Sequence, residues 1–324
     1  MLKKLVLLYL LINISISYYE FEITVDLIEG DIIKLLQSNN EEINGTVYIN
    51  NSPSPIPLEK KVNDDWIRRY QNMYYINYNV KGPVNLRLII ETNLTSFSYA
   101  FQFIDNYITS IKLKSVDENL LYMDNMFNQA SSLQSVDFTE LDLSHVVSFS
   151  NLFFRCDFLR TVIFGNSITR NLEEMDYMFY LAYNLKSLDL SNFDTSKVEK
   201  MTSVFYNCNS LTSLNIKSFN TKNVKDFESM FEGCYSLVSL DLTNFDTSNA
   251  LNINSLFYGC ENLIFLDVTS FNTSKIKSME HIFGNCVSLE IINLKNFDTS
   301  SVTSMSYMFY GCNSLFSLDI NNFD

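Results

Sequence analysis

Histidine, glycine, proline and tryptophan are scarce in this sequence. Its 324 residues include 2 His, 8 Gly, 4 Pro and 1 Trp. Histidine is the commonest metal ligand and a frequent acid–base catalyst near neutral pH. The two histidines, His145 and His281, are far apart in the sequence, which argues against most sites of either kind. We therefore expect no enzyme activity, no cofactor and no bound metal.

Basic residues and long apolar runs are also in short supply. The chain has 23 Lys and Arg against 37 Asp and Glu, a formal net charge of −14, whereas a nucleic-acid partner requires a concentrated basic surface. No stretch reaches the roughly 18 apolar residues that a membrane helix needs. Apolar residues still make up 47% of the sequence, enough for a buried core. We expect a folded chain that binds no nucleic acid and has no transmembrane segment in its mature form.

The first 17 residues have the pattern of a secretory signal peptide. A short basic segment precedes an apolar run from Leu5 to Ile12, and small residues follow at Ser15 and Ser17. The apolar run is too short to span a bilayer core of about 30 Å. We predict that residues 1–17 are removed and that the mature protein is secreted or displayed at the cell surface.

A spacing of 26 residues organises the second half of the chain. The cysteines follow this spacing, with one position skipped: Cys156, Cys208, Cys234, Cys260, Cys286 and Cys312. Ala182 occupies the skipped position, and Ala130 lies one step before the first cysteine. Two phenylalanine series share the step, one from Phe101 to Phe309 and the other from Phe193 to Phe323. Periods of about 20 to 50 residues indicate stacked repeats, and this period falls in the leucine-rich-repeat range.

Each unit is predicted to combine a short strand, a polar corner and a helix. Leu214 and Ile216 are two residues apart, which is the period of a strand. From Val224 to Cys234 the apolar residues recur at steps of 3, 3, 1 and 3, the spacing of a helical stripe. No unit can cover its own apolar face. We therefore predict an α/β solenoid, a leucine-rich-repeat array in which neighbouring units bury one another.

The corner of each unit repeats the pattern Asn-Phe-Asp-Thr-Ser or a close variant. In one unit it includes Phe245, Asp246, Thr247 and Ser248. Asp and Asn close turns on their own backbone, and Thr or Ser caps a following helix, so these roles account for each residue type. Calcium binding by the acidic series is the alternative.

Residues 18–99 lack the period and alternate apolar with polar residues, as strands do. Turn-rich segments separate four predicted strands: residues 18–25, 43–49, 73–80 and 84–91. The predicted organisation is therefore a signal peptide at 1–17, a β-rich N-terminal capping domain at 18–99 and the repeat solenoid at 100–324.

The repeats resemble those of the BspA-like leucine-rich-repeat surface proteins, whose units close on a Met-Phe-x-x-Cys-x-x-Leu junction. Residues 230–237 read Met-Phe-Glu-Gly-Cys-Tyr-Ser-Leu, residues 308–315 read Met-Phe-Tyr-Gly-Cys-Asn-Ser-Leu, and the strand and corner at 239–248 are similar too. The resemblance covers residues 100–324. It implies a protein secreted or displayed by bacteria or some protists that attaches to matrix proteins or to other cells. Three positions depart from the pattern: Ala130, Ser167 and Ala182.

Export raises the question of whether the cysteines pair with each other. Stacked strands lie about 4.8 Å apart, so successive Cα atoms would fall near disulfide distance. Side chains in such a series point in parallel rather than towards each other, which favours buried thiols over paired disulfides. The sequence has no Cys-x-x-Cys motif and no Cys–His cluster, so we predict no metal site and no catalytic site.

The strands leave a largely polar row facing outwards, which is the candidate ligand surface. Within it, Phe265 and Ile291 are apolar neighbours in consecutive units that would form a small binding anchor. A solvated face, in which Asn relieves repulsion between acids, is the alternative. The candidate residues are Asp189, Asn215, Asp241, Phe265, Asp267, Ile291, Asn293 and Asp319.

The pattern favours adhesion or recognition, in which the chain binds a protein or a cell-surface ligand. The alternative is a structural component of a cell surface or extracellular matrix. Such a component would associate with itself through an uncapped C-terminal repeat.

Four Asn-x-Ser/Thr triplets are potential glycosylation sites if the source is a eukaryote. Such triplets arise easily in a chain with many Asn residues. Their acceptor residues are Asn44, Asn50, Asn93 and Asn272.

Overall fold

The computed structural model describes residues 19–27, 32–38, 43–50, 52–62, 72–77, 82–92, 94–103, 107–116 and 119–324. Within these ranges the chain forms β-strands joined by turns, and it contains no α-helix. None of these residues therefore belongs to a helix long and apolar enough to cross a membrane. The predicted signal peptide lies outside the described residues.

Strands make up most of the N-terminal part. They are β1 Tyr19–Leu27, β2 Ile32–Ser38, β3 Gly45–Ile49, β4 Ile56–Pro57, β5 Glu59–Val62, β6 Asn72–Asn77, β7 Gly82–Ile90 and β8 Ile108–Ser115. β2, β6 and β5 form a small antiparallel sheet, and the others belong to a larger sheet. The β-rich character of this part is confirmed: β1, β3, β6 and β7 are the predicted strands, and the other four add to them.

The larger sheet buries one face and exposes the other. β1 lies between β7 and β8 and pairs antiparallel with both. Every second residue of β1 from Tyr19 to Val25 is buried, as the two-residue period of a strand requires. On the other face, Glu20 forms an ion pair with Arg87 of β7 at 2.7 Å. The alternation seen in the sequence therefore places the core on one side of this sheet.

The larger sheet continues from the N-terminal strands into the repeats. β8 pairs in parallel with β9 (Ser135–Asp137), which pairs in parallel with β10 (Thr161–Ile163). Phe21 of β1 packs against Phe101, with ring centroids 5.5 Å apart. The N-terminal strands thus cover the first unit of the repeats, and their sheet crosses the domain boundary predicted after residue 99.

Repeated units with a spacing of 26 residues are confirmed. The remaining strands are β11 Ser187–Asp189, β12 Ser213–Asn215, β13 Phe265–Leu266 and β14 Ile291–Ile292. β11 pairs in parallel with β12, and β13 pairs in parallel with β14, each residue with the one 26 positions later. Isolated parallel bridges between Tyr122 and Ser148, and between Asp226 and Asn252, have the same offset. Consecutive units therefore lie against each other in register.

One phenylalanine per unit stacks on the next in the core. From Phe101 to Phe309 the successive ring centroids are 5.2 to 5.9 Å apart, and the rings are close to parallel. The other series lacks a phenylalanine at Ser167. Phe164 fills the core there and packs against Phe193 at 4.9 Å. A large residue three positions earlier thus compensates for the small one.

The prediction of a helix in each unit is wrong. In the segment from Val224 to Cys234, the N–H of Phe227 donates to the carbonyl of Asn252 in the next unit at 2.9 Å. A helix would direct this N–H to the carbonyl four residues earlier. Ser229 and Gly233 have φ angles of 54° and 71°, in the left-handed region that a right-handed helix excludes. The segment is a series of tight turns whose alternate N–H groups bind the next unit.

The corner threonines also bind the next unit, so the expectation that they cap a helix is wrong. Thr247 Oγ1 accepts the N–H of Asn272 at 2.8 Å and donates to the carbonyl of the same residue at 3.0 Å. Asp246 closes a turn by accepting the N–H of Ser248 at 2.9 Å, as predicted. Buried threonines of other units make the same two bonds: Thr169, Thr195, Thr221 and Thr273.

The cysteines are free thiols that point into the core. Cys234 Sγ donates to the carbonyl of Phe205 in the preceding unit at 3.2 Å, and the other cysteines make the equivalent bond. All are buried except Cys312, which is partly exposed. This geometry agrees with the preference for buried thiols over disulfides.

Candidate binding surface

Phe265 and Ile291 lie side by side on the exposed side of adjacent strands. They are direct partners in the parallel pair of β13 and β14. Phe265 is 56% exposed and Ile291 is 46% exposed, whereas the next residues, Leu266 and Ile292, are buried. The alternation of the short strand therefore gives the outward orientation that the sequence predicts, and the two apolar side chains form a pair.

Three further exposed apolar side chains accompany this pair. Val238, Ile264 and Phe316 occupy the same position of the 26-residue unit, with Glu290 at that position between the last two, and all three are exposed. The backbone links their units, because Glu290 N–H donates to the Ile264 carbonyl at 3.0 Å. The sequence prediction lacks these three residues, although their spacing signals them. The apolar patch is defined as Val238, Ile264, Phe265, Ile291 and Phe316.

The acids of the candidate surface close turns at the ends of the strands. Asp267 Oδ1 accepts the N–H of Thr269 at 3.0 Å and its hydroxyl at 2.7 Å. These hydrogen bonds hold the pKa of Asp267 below its ordinary value, and bonds from Thr243 do the same for the pKa of Asp241. Both carboxylates are therefore ionised at neutral pH. Each has a structural role that explains its presence without a ligand.

The other candidate residues lie on the same row and make the same turn. Asp189 is the strand partner of Asn215. Asn293 accepts the N–H of Lys295 at 3.2 Å, and Asp319 accepts the N–H of Asn321 at 3.1 Å. The structure thus brings all eight candidates together along one face. The strand face is defined as these eight residues together with the apolar patch.

The potential glycosylation sites differ in their surroundings. Asn44 and Asn50 are exposed in the N-terminal part, and Asn272 is exposed on a corner. Asn272 Oδ1 accepts the hydroxyl of Ser274 at 2.8 Å. Asn93 lies outside the described residues. Modification at these positions stays a prediction.

In the part of the chain that the structure describes, no group of three or more His, Cys, Asp or Glu side chains is arranged to hold a metal ion. The corner acid Asp298 accepts both the N–H and the hydroxyl of Ser300, at 3.0 and 2.6 Å. The turn role predicted for these acids is therefore the role that the geometry shows.

Three segments of the chain match the model of a known family. Residues 72–185, 157–264 and 236–324 each match the model described as Mycoplasma protein of unknown function, DUF285. The three overlapping segments cover the chain from residue 72 to residue 324. No curated protein and no solved structure matches the chain.

Proposed function

Since the chain belongs to the family described as Mycoplasma protein of unknown function, DUF285, we propose its function from its surface: it binds a protein or a cell-surface ligand through the strand face. The observation that supports this proposal is the apolar patch. Soluble proteins seldom expose several large apolar side chains together unless the patch contacts a partner. Apolar side chains that a partner buries in this way supply much of the binding energy of an interface.

The finer features of the proposal rest on the sequence pattern. We infer a solenoid related to the BspA-like leucine-rich-repeat proteins, secreted or held at a cell surface and active in adhesion or recognition. The parallel pairing at steps of 26 residues supports the repeat architecture. The Met-Phe-x-x-Cys-x-x-Leu junctions support the relationship, and the pattern of the first 17 residues supports export. Units built without a helix are a departure from the predicted α/β form.

Replacing the central pair of the patch should weaken binding without unfolding the protein. We expect Phe265→Ser with Ile291→Ser to reduce affinity about tenfold or more, because the partner loses its apolar contacts. Both side chains are exposed, so the core stays intact. The measurement is surface plasmon resonance of the purified mature chain against immobilised collagen, fibronectin and laminin, followed by adhesion to cultured cells.

A second pair of exposed apolar residues provides the matched control. Leu251 is 56% exposed and Ile168 is 49% exposed, and both lie away from the strand face. Leu251→Ser with Ile168→Ser should leave affinity within about twofold of the starting protein. Equal losses for the two double variants would remove the patch from consideration. Failure of the unchanged protein to bind any of these probes would count against the adhesion proposal itself.

Self-association as a structural component is the second candidate function. Leu318 and Ile320 occupy the positions at which Ile292 and Leu294 are buried one unit earlier, yet both are exposed. A following unit or a second copy would bury them, and self-association is the case in which a second copy does so. Sedimentation equilibrium should then show mass that rises with concentration, and Leu318→Ser with Ile320→Ser should abolish the rise. A constant monomer mass across the concentration range would contradict this candidate.

A further inference from the structure

A row of aromatic side chains occupies a second face of the repeats. Its members stand two residues before the cysteine position of their units, on the turn segment rather than on the strand, and Gly284 occupies this position in the unit of Cys286. Phe154 stacks on Tyr180 with centroids 4.7 Å apart, and Tyr180 stacks on Tyr206 at 4.6 Å. The aromatic row is defined as Phe154, Tyr180, Tyr206, Glu232, Tyr258 and Tyr310.

Glu232 interrupts the aromatic row between two tyrosines. Its carboxylate accepts the hydroxyl of Ser229 at 2.6 Å, and the hydroxyl of Tyr206 lies close to it. The glutamate is only half-buried. A ring within a stack has its faces covered by other rings, so the row offers uncovered ring faces only at an interruption. Glu232 is such an interruption, with Tyr206 in the unit before it and Tyr258 in the unit after it.

Neighbouring groups hold Tyr258 in place, and His281, whose ring centroid lies 5.4 Å from that of Tyr258, is close enough to Glu232 to act on it electrostatically. Asn285 Nδ2 donates to the Tyr258 hydroxyl at 2.8 Å. A Cβ at Gly284 would lie 2.9 Å from Tyr258 Cδ2, so glycine allows the ring to lie against the following unit. Among the ion pairs of the described residues, none involves Glu232 or the nearby acids Glu228 and Glu261. Three carboxylates and two tyrosines thus share one region.

The electrostatics of this region favour a positively charged partner. Burial and the nearby carboxylate of Glu232 raise the pKa of Tyr206 to about 12. Burial, together with Glu261 and Glu232, also raises the pKa of the exposed Tyr235. Tyrosine rings attract ammonium and guanidinium groups through their faces, and a half-buried carboxylate attracts them more strongly than an exposed one. The net charge of −14 also steers cationic ligands towards the protein.

We propose that the aromatic row is a second binding surface, which takes a Lys or Arg side chain of a basic polypeptide beside Glu232, between Tyr206 and Tyr258. The occupant is a basic segment of a protein, because carboxylates of two consecutive units lie near the row, Glu228 and Glu232 in one and Glu261 in the next, and an extended cationic chain would contact more than one of them. This surface lies on the turn segments and is separate from the strand face. The proposal therefore does not depend on the function proposed above.

Fluorescence anisotropy with a labelled peptide of alternating Arg and Gly tests the proposal on the full mature chain. Glu232→Gln keeps the shape of the side chain and its oxygen acceptor, so the fold should persist. We expect this variant to weaken peptide binding about tenfold. Tyr258→Leu should weaken it about fivefold, because the charge remains while the ring is lost. Phe265→Ser with Ile291→Ser should leave peptide binding unchanged.

The exposed Glu173 provides the control for charge alone. Glu173→Gln removes the same charge from a unit two steps before that of Glu232 and should change the affinity by no more than about twofold. Equal losses for Glu173→Gln and Glu232→Gln would mean that net charge, not this site, binds the peptide, and would overturn the proposal. Equal binding of a peptide in which Gln replaces Arg, or no binding by the unchanged protein at low salt, would also overturn it. Thermal unfolding of each variant verifies that it is folded.

Discussion

Thr247→Val should lower the free energy of unfolding by about 3 kcal/mol. Thr247 is buried, and its hydroxyl satisfies both backbone groups of Asn272 in the next unit. Valine has nearly the same shape but neither donates nor accepts. The N–H and carbonyl of Asn272 would then lose their partner at a unit interface, and each unsatisfied group costs about 1 to 3 kcal/mol. Chemical denaturation followed by circular dichroism measures the loss.

Two controls separate the hydrogen bonds from the change of side chain. Thr247→Ser keeps the hydroxyl and should retain most of the stability. Thr243 is exposed, and its hydroxyl bonds only to the nearby Asp241 at 2.8 Å. Thr243→Val should therefore cost less than about 1 kcal/mol. If both valine variants lose the same stability, the threonines do not fasten the units together. Faster hydrogen exchange of the Asn272 amide in Thr247→Val would place the effect at that interface.

The spacing of the repeats and the composition of the core could be predicted from the sequence. A 26-residue step that preserves Phe, Cys and Leu places identical side chains over one another only if the units lie in register. The stack from Phe101 to Phe309 and the pairing of Ser187 with Ser213 follow from that step. The local geometry of each unit does not follow from the 26-residue step, because units of different shapes can share the same step.

The helix prediction failed because its evidence was the spacing of apolar residues alone. Steps of 3, 3, 1 and 3 fit both a helical stripe and a series of three-residue turns. The two differ in where the N–H groups bind, and a bond to the next unit, such as Phe227 to Asn252, leaves no trace in the hydrophobic pattern. One signal was available: Gly233, Gly259 and Gly311 recur at a left-handed position. Glycine inside three of the proposed helices argued against them.

The strand face could be predicted from the sequence, but the aromatic row was not predicted. Successive residues of a strand, such as Phe265 and Leu266, point to opposite faces, so the residues that face outwards could be identified from the sequence. The aromatic row required the turn segment to be correct, since a helix would distribute its side chains differently. The high count of 19 Tyr was the available signal. Several of these residues, including Tyr206 and Tyr258, stand two positions before a cysteine.

Raising the pH from 7 to 10 should lower the free energy of unfolding by roughly 7 kcal/mol, enough to unfold many domains. Burial raises the pKa of Cys156, Cys208, Cys234, Cys260 and Cys286 above the ordinary value of 9.0. In the unfolded chain these thiols ionise near pH 9, whereas in the folded protein they stay protonated. The folded state therefore binds more protons, and stability falls as the pH rises past the unfolded value. At pH 10 each thiol contributes a loss of about 1.4 kcal/mol.

A cysteine-to-alanine variant isolates this contribution from that of other groups that titrate at high pH. Ala130 and Ala182 already occupy the cysteine position of two units and are fully buried, so alanine fits there. Cys234→Ala should lower stability at pH 7 through lost packing, but its decline between pH 7 and pH 10 should be smaller by about 1.4 kcal/mol. Urea denaturation at a series of pH values measures both curves. Parallel curves for the two proteins would show that Cys234 is accessible to ionisation in the folded state, as would rapid reaction of the native protein with a thiol reagent at that residue.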